Sequence, residues 1–277
     1  MTAPPRLTDH DSLARQRARA LRRADSVAAE LHREIAQRVD DRLSEVNKSF
    51  TTPAVVTPYP HLWAETLPGA RLVPDAPVLD LAEASHDLII HAMALHWADD
   101  PLGQIIQCRR ALKPDGLFIA VMPGGRTLQE LRAALAQAES DLYGSLSPRV
   151  LPMTDLRDAG ALLQRAGLAL PVADLETVPL AYRRLDRLVA DLRSSGEGNA
   201  LAARHRRAMP RALWAAAQAL YAGNFGRDGL FPATLELIWL TGWAPHDSQP
   251  QALRPGSATT RLAQALGTDE MPLPPKI

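Results

Sequence analysis

Between residues 9 and 47 apolar positions recur at helical spacing: Leu13, Ala20, Leu21, Val27, Ala28, Leu31, Ile35, Val39 and Leu43. The stripe predicts one long charged helix or two, capped by Thr8 or Asp9, with a single face to bury. That face suits the chain's own core or the surface of a partner. From 53 to 82 the pattern dissolves into a Pro-rich stretch with the short apolar runs "AVV", "RLV" and "PVLDL". It sharpens at "DLIIHAMAL" (Asp87 to Leu95), a continuous apolar run of the kind buried on both faces of a parallel sheet. "DDPLGQIIQCRRAL" follows as a helix, with Asp99 or Asp100 as its cap and Pro101 in its first turn. "KPDG" (Lys113 to Gly116) reads as a turn, and "LFIAVMP" as a second buried strand. After "GGRT" a helix runs from Leu128 to about Leu142.

Further on, Thr154 or Asp155 opens a helix that ends at Gly167, and "LPVADLETVPLAY" alternates as a strand. A mainly helical block from Arg184 to Ala222 is broken around "SSGEGNA" and at Pro210. "ATLELIWLTGWA" is predicted as a strand inside the sheet, with Leu237 and Trp239 on one face and Ile238 and Leu240 on the other. This alternation of strands and helices argues for an α/β fold with a parallel sheet and right-handed crossovers. The expected organisation is a helical arm over 1–48, an α/β domain over 49–245 with a helical insertion at about 184–228, and a tail over 246–277.

Composition narrows the picture. At 277 residues, 46% hydrophobic and 22% charged, the chain can bury a proper core. Lys+Arg and Asp+Glu both count 31, so composition offers no whole-surface attraction to nucleic acid or to an anionic membrane. The single cysteine, Cys108, excludes an internal disulfide and a Cys-based zinc site, and it sits in an apolar helical stretch as a core residue. No apolar run is long enough to span a membrane. "LARQRARALRRA" has the arginine content of a transit peptide, but Asp9 and Asp11 precede it and Asp25, Glu30 and Glu34 follow it. It reads as the mature arm of a cytoplasmic, bacterial-type protein.

The block "DLIIHAMALHWADDPLGQIIQCRRALKPDGLFIAVMPGGRTLQELRAAL" resembles class I S-adenosylmethionine-dependent methyltransferases. With "LSPRVLPMTDLRDAGALLQRAGL", "SSGEGNA", "FPATLELIWLTGW", "RPGSAT" and, more weakly, "LHREIAQRVDDRLSEV", it is similar to the methyltransferase-like assembly factors of respiratory complex I. The resemblance implies a Rossmann-like sheet with a reversed last strand and a role in building NADH:ubiquinone oxidoreductase. It implies complex I, or an assembly intermediate of its peripheral arm, as partner, with no nucleic acid. The location it implies is cytoplasmic, peripheral to the inner membrane through complex I, or the mitochondrial matrix in a eukaryote. A member of the family hydroxylates an arginine on a complex I subunit, but no 2-His-1-carboxylate spacing for a non-haem iron stands in this chain.

Such folds hold their cofactor outside the carboxyl ends of the strands, at the switch point. Glycine is needed after the first strand because only glycine lets the backbone approach the ligand closely. Here "AVVTPYPHLW" stands in that place, with no glycine between Leu43 and Pro68, and Pro58 and Pro60 remove backbone donors. For the acid after the second strand Asp75 and Asp80 are the nearby candidates. A strand–helix–strand unit takes roughly 30 residues; from Pro53 to Asp87 one short unit fits, and the three of a complete fold do not. The N-terminal half of the sheet is therefore expected to be truncated.

The candidate residues divide by role. Asp80, His96 and Trp97 are the remnants of a cofactor site, His96 and Trp97 standing equally well as packing. Gly124 and Gly125 could hold an anion or let a substrate peptide approach, or equally form a tight turn, and Glu197 and Asn199 in "SSGEGNA" are candidate partner contacts. Asp99 and Asp100 fit helix capping better than acid–base work, and Glu130 and Arg132 fit a solvated helix face. His86, His91, His205 and His246 lack ligand spacing, so no metal is expected. The expectation is a non-catalytic binding protein without cofactor. The alternative is an active enzyme, a methyltransferase using S-adenosylmethionine or an arginine hydroxylase.

Overall fold

In the computed structural model, which describes residues 6–22, 27–250 and 260–269, the N-terminal stripe is divided between two helices, α1 (His10–Leu21) and α2 (Val27–Ser44). Asp9 caps α1 by accepting from Ser12 N. On α2, Ile35, Ala36 and Val39 are buried at i, i+1 and i+4, the width of one helical face. The Pro-rich stretch supplies β1 (Pro53–Thr57), the short helix α3 (Pro60–Trp63) and β2 (Arg71–Pro74). Then come β3 (His86–Ala92), α4 (Pro101–Ala111), β4 (Leu112–Pro123), α5 (Gln129–Tyr143) and α6 (Leu156–Arg165). The remaining elements of this unit are β5 (Ala169–Tyr182), α7 (Leu185–Ser194), α8 (Arg211–Phe225) and β6 (Phe231–Trp243).

The strands form one sheet in the order β2–β1–β3–β4–β6–β5. β2, β1, β3 and β4 are mutually parallel, and β6 runs antiparallel between β4 and β5. This is the Rossmann-like class I methyltransferase sheet with its last strand reversed. It is shortened at the N-terminal side: only the unit β1–α3–β2 precedes β3, and residues 75–85 pass from β2 to β3 without a helix. The hydrophobic strands explain the layering. Ala54, Ile89, Phe118, Ile238 and Leu240 point to a core roofed by α4 and α6. Val55, Ile90, Ile119, Leu237 and Trp239 point to the opposite core, roofed by α2 and Trp63. Leu237 and Trp239 thus share one face and Ile238 and Leu240 the other, as the alternation predicts. A third cluster joins α5, α7 and α8.

Three local expectations are corrected. "KPDG" does not break the chain between helix and strand. It bulges inside β4, where His86 pairs Leu112 but Leu88 pairs Leu117, and Asp115 takes φ 61°. Glu130 is buried rather than solvated, because Thr234 N and Thr234 Oγ1 both donate to its carboxylate. Arg132 is half-buried and donates to the carbonyls of Gly125 and Thr127. Of the aspartate pair, Asp100 caps α4 through Gly103 N. Asp99 instead accepts from Leu7 N, Thr8 N and His10 Nε2, fastening the start of the arm to the end of β3. Residues 246–277 form a separate unit, in which Leu262–Leu266 is helical; "RPGSAT" (254–259) lies outside the described residues.

The end of α5 carries a testable electrostatic clamp. Glu139 is buried and accepts from Ser147 N, Ser147 Oγ and Arg149. Burial alone would raise its pKa, but the Arg149 guanidinium and the Ser147 donors outweigh that and hold it at about 2, against 4.5 unperturbed. Because the folded value is depressed, this stabilisation is complete above pH 4.5 and is lost as pH falls toward 2. Glu139→Gln is expected to remove about 2 kcal/mol at neutral pH and to flatten the stability curve over that acid range in urea titrations. An unchanged acid limb would show that the clamp contributes nothing.

Candidate functional site

The place to look is the carboxyl end of the sheet around β1, where the chain first steps outward to β2 and then returns across to β3. Beyond β1 the sequence Thr57-Pro58-Tyr59-Pro60 turns directly into α3. Tyr59 is 1% exposed, packs edge-on against His32 of α2, and donates from its hydroxyl to Ser195 O at 2.8 Å. Burial pushes its phenol well above the ordinary value. Trp63 Nε1 donates to His32 Nδ1 at 3.1 Å, which requires the neutral imidazole, and burial holds His32 down at about 4. The strand end that should lie open to a ligand is filled by the chain's own aromatic side chains.

Asp75 directly follows β2, at the position of the ribose acid. Its carboxylate receives Arg17 Nη1 at 2.7 Å, so a guanidinium from α1 occupies it. Arg17 is itself buried, with Nε and Nη2 lacking hydrogen-bond partners among the described residues. Asp80, the other sequence candidate for this role, lies further along, exposed and paired with Arg71. The charged pair that matters was therefore hidden in the arm, where Arg17 looks like any other arginine of a basic helix.

At the end of β3 a single 3₁₀ turn, Leu95–Trp97, presents His96 and Trp97. Both meet Glu197: Trp97 Nε1 donates to Glu197 Oε2 at 2.7 Å, and His96 Nε2 lies 3.0 Å from the same oxygen. Since a carboxylate only accepts, His96 carries its proton on Nε2 there, leaving Nδ1 buried without a partner among the described residues. Burial would raise the pKa of Glu197, but His96, Arg17 and the Trp97 N–H together depress it to about 2. The loop bearing Glu197 needs Gly196, whereas at Gly198 only the end of the Gln16 side chain would have to move. Gly196 has φ +78°, and a Cβ there would stand 2.2 Å from the Tyr59 hydroxyl; at Gly198 it would stand 2.3 Å from Gln16 Oε1. Asn199 donates from Nδ2 to Pro148 O and accepts from Leu201 N, so its amide is spent on the loop.

Three of the sequence candidates, His96, Trp97 and Glu197, thus form one hydrogen-bonded group beside Tyr59 and the Arg17–Asp75 pair. Gly124 and Gly125 lie apart, on a tight passage from β4. Gly124 N donates to Glu236 O, and a Cβ on Gly124 would press Glu236 and Ile238 at 3.1 Å. Glu236, a buried carboxylate that the apolar run "LELIW" conceals, accepts from Arg126 N. Next to the Glu197 group opens a cleft of about 770 Å³. Trp97, Glu197 and Asn199 line one side, and Met93, Leu131, Leu135, Leu180 and Leu235 contribute apolar wall. Among the described residues no group of three or more His, Cys, Asp or Glu is placed to hold a metal ion, and no helix is long and apolar enough to cross a membrane.

The fold family implies S-adenosylmethionine, and the residues present do not fit it. Tyr59 stands where the backbone must approach the ligand, and the acid after β2 is already ion-paired to Arg17.

The methyltransferase domain family matches residues 56–120, from inside β1 into β4. The mitochondrial arginine hydroxylase NDUFAF5 of Danio rerio is 35% identical over 198 residues, covering 71% of this chain and 61% of the relative. A malonyl-[acyl-carrier protein] O-methyltransferase of Gallionella capsiferriformans is 31% identical over 204 residues, covering 73% of this chain and 67% of the relative. The chain spans less than two thirds of the length of the first arginine-hydroxylase relatives, 61% and 43%. Among solved structures, the YcgJ protein of Bacillus subtilis overlaps 77% of this chain and 99% of its own at 12% identity, with a TM-score of 0.48.

Proposed function

The chain belongs to the class I methyltransferase-like family, and within it we propose that it is a complex I assembly factor or associated binding protein that no longer takes S-adenosylmethionine. The observation that carries this reading is the self-filled crevice. Tyr59, donating to Ser195 O, and Arg17, seated on Asp75, take the two places where the cofactor's backbone cradle and ribose acid would be. The relatives named NDUFAF5 support the assembly-factor branch, and the cleft beside Glu197 is the surface best formed to receive part of a partner. A second reading follows the relatives' printed activity, arginine hydroxylation. It is supported by Glu197, an ionised carboxylate on the wall of an otherwise largely apolar cleft, which would pair with a guanidinium.

Two measurements test the reading. A ligand present at 100 times its dissociation constant stabilises a protein by about 2.7 kcal/mol. The expected result with millimolar S-adenosylmethionine is no melting shift and no saturable heat. Micromolar binding in calorimetry overturns the loss of the cofactor. Separately, the purified chain should capture peripheral-arm subunits of complex I, and Glu197→Gln should weaken that capture at a temperature where the variant, which like Glu139→Gln is expected to lose about 2 kcal/mol, is still folded. Capture that is indifferent to Glu197→Gln removes the cleft from the partner interface.

A further inference from the structure

Net charge zero conceals a strong segregation that only the fold brings out. Residues 6–22 carry five arginines against two aspartates, and residues 183–211 carry eight arginines against three acids. These two segments hold an excess of eight positive charges, so the rest of the neutral chain carries an equal negative excess. They are neighbours in space. Thr8 bridges Leu201, Ala202 N donates to Leu7 O, and Arg204 pairs with Asp9 at 2.9 Å. Arg6, Arg15 and Arg206 line one surface depression together with Asp9 and Asp11.

The apolar cleft opens at this basic region, with Arg149, Arg193, Arg204 and Arg207 among its lining residues. Two of these are committed elsewhere, Arg149 to Glu139 and Arg204 to Asp9. Arg193 and Arg207 are exposed and make no ion pair among the described residues. The lining also holds four carboxylates: Glu34 pairs with Arg38, Asp191 accepts from the Tyr182 hydroxyl, Glu197 accepts from His96 and Trp97 through one of its oxygens, and Glu30 is the fourth. Arginines and acids are therefore equal in number along the lining, and Arg193 and Arg207 are the two lining arginines that make no ion pair among the described residues, within one of the segments that carry the positive excess. Arginine forks match phosphate and carboxylate oxygens, and a cavity of this size and apolar character suits a small-molecule ligand.

We propose that the cleft is a binding site for a monomeric anionic amphiphile, its apolar body against Leu131, Leu135, Leu180 and Leu235 and its anionic head between Arg193 and Arg207. The shared chemistry of an apolar chain and a phosphate could also come from a membrane lipid, and the two sources separate experimentally.

Full-length protein is titrated in a calorimeter with decyl phosphate below its micelle concentration, and in parallel with decyltrimethylammonium, inorganic phosphate and phosphatidylglycerol vesicles. The expected result is saturable one-to-one binding of decyl phosphate, with the cationic amphiphile and inorganic phosphate each at least about tenfold weaker. The double variant Arg193→Glu, Arg207→Glu changes only exposed side chains and should lose about tenfold in affinity, equivalent to 1.4 kcal/mol. Leu235→Trp, which fills the cleft, should abolish binding. Absence of decyl phosphate binding overturns the proposal, and so does a double variant that binds like the parent. Equal binding of decyltrimethylammonium would show that the arginines do not select. Equal binding of inorganic phosphate would reduce the site to a surface arginine pair, and binding to vesicles alone would make it a membrane contact; each of these also overturns it. None of these outcomes depends on complex I or on S-adenosylmethionine.

Discussion

Leu237→Asp is expected to leave no cooperatively folded protein at 25 °C. Leu237 is 2% exposed, in the middle of β6, opposite Pro123 of β4 on one side and Glu176 of β5 on the other. Its side chain belongs to the core shared by α2, Trp63 and Trp239. The substitution forfeits roughly 2 kcal/mol of apolar burial and either buries an unpaired carboxylate, at several kcal/mol, or forces the strand to open. Domains are stable by only about 5–15 kcal/mol, and β6 is the strand that ties β5 to the rest of the sheet. Leu175→Asp is the matched control. Leu175 pairs with Ile238 on the neighbouring strand but is 42% exposed, so its variant should melt within a few degrees of the parent. If Leu237→Asp melts like the parent, β6 is not where it is placed here.

How much of this was legible in the sequence depends on whether the signal was local. β3, β4 and β6 were, because continuous or alternating apolar runs state both their type and their faces. The truncated half was legible from length alone, since the residues between Pro53 and Asp87 hold one crossover. The turn chemistry of "KPDG" was real, yet it produced a bulge. The pairing of His86 with Leu112 begins the strand before the turn, which is information carried by β3 and not by the four residues themselves. His96, Trp97 and Glu197 could be named one by one, but their meeting joins residues about a hundred positions apart. Arg17 had no signal at all: one arginine among many on a basic helix, marked out only because β2 ends beside it at Asp75. The same holds for charge. Composition averages over the two faces that the bridge between Thr8 and Leu201 brings into one basic region.

The arm's apolar stripe admitted two roles, cover for the chain's own fold or grip on a partner, and deletion of residues 1–44 separates them. The arm does not cap the open outer edge of β2. Instead α2 lies on the broad face of the sheet: Ile35, Ala36 and Val39 are 0%, 2% and 3% exposed, against side chains of β1, β3, β4 and β6. Polar fastenings reinforce it, since Arg42 stacks 4.3 Å above the Trp239 ring while donating twice to Asp174, and Arg38 pairs with Glu176. Removing the helix uncovers Trp239, Leu237 and the aliphatic residues of β1, β3 and β4 together. A continuous apolar face of that kind drives association, and each uncovered large side chain forfeits roughly 1.5–3 kcal/mol. The expected outcome is a protein that is insoluble, or self-associated when examined by light scattering. Deleting only residues 1–22 should be milder, because α1 contributes Leu13 to a small cluster with Trp97, Leu151 and Leu201 and leaves the sheet face covered. A soluble, monomeric 45–277 fragment that has lost capture of complex I subunits would instead assign the arm to the partner. A soluble fragment that retains capture would refute both roles.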